Sequence, residues 1–156
     1  MGRIAEQAVF NVWHPNDASW GGVSHPWTGW SICDPGNNYH FSFLRATMLW
    51  ALATQNTAWF DFLQTQKFGP LMDYYAALPG GGTREGTGYG TALNNLFGNY
   101  IYWKASTGED LAGITPHTRE TIDYWVHATV PTLDRFAPIA DLSRESIPNS
   151  TTTRKT

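Results

Sequence analysis

At 156 residues the chain has the length of a single domain and enough material to bury a core. Ten Lys and Arg against thirteen Asp and Glu leave a formal charge of −3, which excludes the basic face that nucleic-acid binding requires. Aromatic residues reach 15 % and charged residues only 15 %, against roughly 25 % charge in an average domain, a balance that suits either a large aromatic core or a carbohydrate cleft.

Arg3 to Trp13 reads as a short helix with Ile4, Ala8 and Val12 on one face. The N-terminal stretch MGRIAEQAVFNVW contains no apolar run long enough for a signal peptide or a membrane span. His14-Pro15 stops it, because proline disfavours helix in the residue before it. Up to Asn37 the sequence is loop-like and carries Trp20, Trp27 and Trp30. A loop of that length in a compact domain is an ordered cover or a functional wall, and exposed tryptophans stack on sugars. Cys33, in the same loop, is the only cysteine, so neither a disulfide framework nor a cysteine metal site is expected.

Asn38 to Thr54 is the strongest helical pattern. Phe41, Leu44, Met48 and Leu52 recur along it and Arg45 is nearly its only charge, so it is expected at the centre of the fold. Asn37 or Asn38 is its N-cap. Further helices are expected from Thr57 to Gln66, capped by Asn56 or Thr57, and from Pro70 to Ala77. Gly80 to Gly82 and Gly86, Gly88 and Gly90 then bracket Arg84, Glu85 and Tyr89. Glycine-rich backbone of this kind permits positive φ and close approach. From Tyr89 an apolar seam, Leu93, Leu96, Tyr100 and Trp103, predicts a helix ending near Ala105. Thr115-Pro116 opens a last helix to about Thr129, with Thr118, Ile122, Trp125 and Thr129 on its inner face. No period-two alternation is long enough to claim a sheet. The class is therefore all-α, with sequential helical hairpins across residues 1–148 and a polar, disordered tail at 149–156.

The heptapeptide Asp34-Pro35-Gly36-Asn37-Asn38-Tyr39-His40 places two amides, a phenol and an imidazole around a helix start, where unpaired N–H groups attract anions. His117 and His127 are ten residues apart and lack the spacing of a metal site, so no metal is expected.

Together, DPGNNYHFSFLRATMLWALAT, LPGGGTREGTGYGTALNNLF, STGEDL and YWVHATVP resemble the heparinase II/III-like polysaccharide lyases and their alginate-lyase relatives, over roughly residues 5 to 148. The resemblance implies an (α/α) toroid that cleaves an acidic, uronate-containing polysaccharide by β-elimination, without a cofactor. It implies a periplasmic or secreted setting. The family's Asn matches Asn37 or Asn38 and its Tyr matches Tyr89. The His that directly follows the Asn in the family is displaced here by one residue, to His40.

The chemistry fits these residue types. Removing the proton next to an ionised carboxylate builds negative charge that an amide or cation must stabilise. Asn37, Asn38 and Arg45 are candidates for that task. Tyr89 and His40 are the candidate proton-transfer groups, and Arg84 or Arg45 would tune the phenol. With Glu85 beside Arg84, and Trp30 as a stacking surface, the expected site is Tyr89, His40 and Asn38 for catalysis and Asn37, Arg45, Arg84, Glu85 and Trp30 for binding. Family members are longer and close the toroid with further helices. This chain is therefore expected to expose apolar faces at Ile122 and Trp125, or Phe10 and Trp13, and to form a homo-oligomer.

Overall fold

The computed structural model describes residues 2–87 and 90–140. Tyr89 and the polar tail at 149–156 lie outside the described residues. The described chain is mostly helical, as expected: α1 (Gly2–Trp13), α2 (Asn38–Thr54), α3 (Thr57–Phe62), α4 (Gly69–Ala77), α5 (Gly90–Thr107) and α6 (His117–Ala128). A two-stranded antiparallel ribbon, β1 (Ser19–Trp20) and β2 (Val23–Ser24), turns through Gly21 and Gly22 inside the tryptophan-rich loop. None of the described helices is long and apolar enough to cross a membrane.

α2 is central, packed against α1, α3 and α5. Phe41, Leu44, Met48 and Ala51 from α2 meet Leu93, Leu96, Tyr100 and Trp103 from α5 in one buried cluster, so the apolar seams of both helices face each other. Arg45 bridges the same pair. Its Nε donates to Asn99 Oδ1 at 2.9 Å, Nη1 to Asn95 Oδ1 at 3.0 Å and Nη2 to the Asn95 carbonyl at 2.7 Å. Asn99 in turn donates to the Phe41 carbonyl at 2.9 Å, which completes a buried polar seam along the α2–α5 contact. Gly98 makes room for the guanidinium, since a Cβ there would strike it.

Three expectations change. The helices expected at Thr57–Gln66 and Pro70–Ala77 are joined: a π-helical turn, Leu63–Phe68, links α3 to α4 without a break. Pro70 lacks an N–H, and its ring opposes a carbonyl one turn earlier. The widened turn before it accommodates that defect while Leu63 and Phe68 stay buried. The second change is on α6, whose buried residues are His117, Thr121 and Ala128, while Ile122 is 66 % exposed. The helix starts at His117 with Pro116 at the cap position and no side-chain cap from Thr115. Its polar residues face inward because the glycine loop offers them carbonyls: Thr121 Oγ1 donates to Gly81 O at 2.9 Å and His117 Nε2 lies 2.8 Å from Gly82 O. Lastly, Trp13 is not an exposed terminal residue. It is 7 % exposed, and its Nε1 donates to Thr47 Oγ1 at 2.7 Å on α2.

Candidate functional site

Of the residues singled out in sequence, Asn37, Asn38, Arg84 and Glu85 come together at the N-terminal end of α2, while Tyr89 lies outside the described residues. Asn37 is the N-cap, with its Oδ1 accepting from Tyr39 N at 2.9 Å. The carboxylate of Glu85 reaches the same helix start from 47 positions away. Its Oε1 accepts from Asn38 N at 3.0 Å and from Asn38 Nδ2 at 2.8 Å. The anion-attracting end of α2 is therefore held by a carboxylate of the protein itself, a favourable placement against the helix dipole. Glu85 Oε2 is buried and has no hydrogen-bond partner among the described residues.

A second tie lies beside the first. Arg84 Nη2 pairs with Asp34 Oδ2 at 2.5 Å, and Asp34 Oδ1 accepts from Gly36 N at 3.2 Å. Burial alone would raise the Asp34 carboxyl, but the Arg84 and Gly36 hydrogen bonds outweigh it and hold the group below the usual carboxylate range. Both partners of the pair are open to solvent, so a ligand can compete for Arg84. Residues 84–87 are thus anchored on the α2 start. They are held from the other side by Thr87, whose N donates to Ile139 O at 3.0 Å and whose Oγ1 donates to Ala137 O at 2.8 Å.

The glycine run has a structural cause as well. Gly80 and Gly81 have φ of 76° and 67°. A Cβ on Gly81 would overlap the α6 backbone at Glu120 and Thr121, so the close approach made there is by α6. Gly80 N also donates to Glu120 Oε2 at 3.1 Å. The loop is stitched to α6, and its far end, Arg84 and Glu85, faces α2.

Trp30 is 53 % exposed and packs edge-on against Tyr39 at 4.7 Å between ring centroids. Tyr39 sits near Phe43, and Phe43 near Trp27, so an aromatic wall with an open rim flanks the α2 start.

Two expected members are elsewhere. Arg45 is turned to α5 by the bonds described above, with Tyr102 beneath its guanidinium at 5.6 Å, and does not reach the α2 start. The residue lies two turns into the helix, where the α2–α5 contact governs its direction. His40 is 3 % exposed, edge-on to Trp13, with Nδ1 3.1 Å from the Ser31 carbonyl. A carbonyl only accepts, so Nδ1 carries the proton and Nε2 the lone pair. Burial pushes its pKa down to about 4, against the raising effect of the Ser31 carbonyl. Ser31 adopts φ of 66° to present that carbonyl.

One group was overlooked in sequence. Tyr74 of α4 fills the space over Gly36, where a Cβ would collide with its hydroxyl. Burial raises its pKa, and the nearby Arg84 charge partly opposes this. In sequence, Tyr74 and Tyr75 are equally aromatic, and only the glycine of Asp34-Pro35-Gly36 hinted that a side chain sits on that turn.

Among the described residues no group of three His, Cys, Asp or Glu is arranged to hold a metal ion. No protein-family profile, curated protein or solved structure matches the chain.

Proposed function

We propose that the α2 start and the glycine-rich segment form the glycan site of a polysaccharide lyase-like domain that acts on a uronate-containing chain by β-elimination. The observation that carries this reading is the pair of ties Asn38–Glu85 and Arg84–Asp34, which join two distant segments chosen for this chemistry beside an exposed aromatic wall. In the proposed reaction Trp30 and Tyr39 stack against sugar rings. Arg84 exchanges Asp34 for the uronate carboxylate, and the Asn37 amide donates to the same group as negative charge develops there. Tyr89, two residues after Thr87 in the sequence, is the proposed base. Ionised to a phenolate tuned by Arg84, it takes the proton next to the carboxylate and returns it to the departing sugar oxygen as that bond breaks, leaving an unsaturated uronate and a free hydroxyl on the other sugar. Arg45 and His40 have no part in this scheme.

A second reading is a glycan-binding module without turnover. The commitment of Asn38 to Glu85 and the burial of His40 favour it, since both remove groups that elimination would use. In either case we propose that the hairpins are a segment of an (α/α) toroid completed by a homo-oligomeric partner. The exposed Ile101 of α5 and Ile122 and Val126 of α6 support this. Sedimentation at micromolar concentration tests the assembly, and a stable monomer rejects it. For the function, the protein is incubated with alginate, heparan sulfate, chondroitin and hyaluronan while the ultraviolet absorbance of the unsaturated product is followed. Product from at least one substrate is expected. Absence of product from all four, with a folded sample, refutes turnover.

A further inference from the structure

His40, left out of the glycan site, belongs to a different place in the fold. It lines a cavity of about 120 Å³ together with Cys33 and Pro35 from the loop and Gln66, Lys67 and Pro70 from the π turn and the start of α4. Liquid water takes about 30 Å³ per molecule, so this volume admits about four waters or one acetate- or phosphate-sized group.

The polar groups around the cavity define what fits. Lys67 is half-buried, with its ammonium 4.1 Å from the Trp13 ring centroid and 5.2 Å from that of Phe62. Ring faces attract a cation but do not neutralise it. Among the described residues no carboxylate lies within ion-pair distance of Lys67, and the nearby Asp34 is engaged by Arg84. Gln66 adds an amide, and the neutral His40 ring adds an acceptor that suits a hydroxyl on the same ligand.

The π turn is what brings Gln66 and Lys67 here. One extra residue in a helical turn offsets the faces before and after it by about 100°, and such turns occur frequently at functional sites. We infer that this cavity binds a small oxoanion, a carboxylate or inorganic phosphate, through the Lys67 ammonium and the Gln66 amide. The inference does not depend on the proposed lyase activity.

Cys33 is exposed, borders the cavity and is the only cysteine in the chain, so its alkylation reports on this site alone. The rate of Cys33 alkylation by iodoacetamide is measured with sodium phosphate, sodium acetate or sodium glucuronate at matched ionic strength, and with glucose as a neutral control. At tenfold its Kd, a bound anion slows the reaction about tenfold by mass action. Protection by phosphate and acetate identifies a free-ion site, and protection by glucuronate alone identifies a sugar carboxylate as the ligand. Lys67→Gln, checked for folding by circular dichroism, is expected to lose the protection, and Lys67→Arg to keep it. Unchanged alkylation with every anion in the wild type, equal protection by glucose, or full protection in Lys67→Gln overturns the inference.

Discussion

Replacing Gly81 by alanine separates the structural role of the glycine run from a ligand-binding one. At Gly81 the new Cβ meets α6 backbone at Glu120 and Thr121, atoms that a rotamer change cannot move aside, and φ is +67°. Left-handed backbone costs an L-residue about 1–2 kcal/mol. Overpacking adds about 1–3 kcal/mol, and losing the Thr121–Gly81 hydrogen bond about 1 kcal/mol more. The sum is roughly 3–6 kcal/mol, a large share of the stability of a small domain. Gly80 supplies the control. Its φ is +76°, but a Cβ there meets nothing within 4 Å, so Gly80→Ala carries only the backbone strain. Urea unfolding followed by tryptophan fluorescence measures both variants. Gly81→Ala is expected to unfold at a midpoint lower than Gly80→Ala by about 1–2 M, for a slope of about 2 kcal/mol per molar. Equal midpoints would mean that α6 does not seat on Gly81 as described.

Acid should destabilise the protein through His40, whose pKa falls from 6.5 to about 4 on folding. The folded state then binds fewer protons between those values, so this stabilisation is present above pH 6.5 and is lost as pH falls toward 4, on the order of 3 kcal/mol in all. Urea melts at a series of pH values measure the slope, and His40→Phe should flatten it. Arg84→Ala removes a solvent-exposed ion pair and should change stability by less than about 1 kcal/mol. In the proposed site the same change should weaken uronate-glycan binding about tenfold or more, and calorimetry with an oligouronate compares the two effects. Trp30→Ala should likewise leave the melting temperature nearly unchanged while weakening glycan binding, because the ring is exposed and packs chiefly on Tyr39. Unchanged affinity would remove the aromatic wall from the site.

How much could be read beforehand follows from which forces act locally. α2 runs over the residues that its apolar spacing and an asparagine cap at 37 or 38 predict, and Asn37 is the cap, because a helix with its own cap and a nearly continuous apolar surface needs little outside information. The α5 seam, Leu93 to Trp103, was legible for the same reason. The inner face of α6 was not. Its apolar residues Ile122 and Val126 point outward because two loop carbonyls, remote in sequence, recruit Thr121 and His117. The π turn escaped notice since Pro70 reads in sequence as a helix start rather than as a defect absorbed within one. At the candidate site the composition was legible and the pairing was not. Glu85 was named for binding a ligand, whereas its carboxylate is spent on the start of α2, a contact between residues 47 apart that no local pattern encodes. His40 followed the asparagines in sequence, yet the helix turns it inward under Ser31, about 100° per residue away from Tyr39.

The measurement that tests the central claim most directly compares wild type with Tyr89→Phe on one uronate oligosaccharide, recording binding by calorimetry and turnover by ultraviolet absorbance in the same samples. The lyase reading predicts that the wild type forms unsaturated product and that Tyr89→Phe binds with nearly unchanged affinity but forms none, because only the phenol oxygen has been removed. Binding without product in the wild type would contradict turnover and leave a glycan-binding module. Neither binding nor product would contradict the glycan site itself.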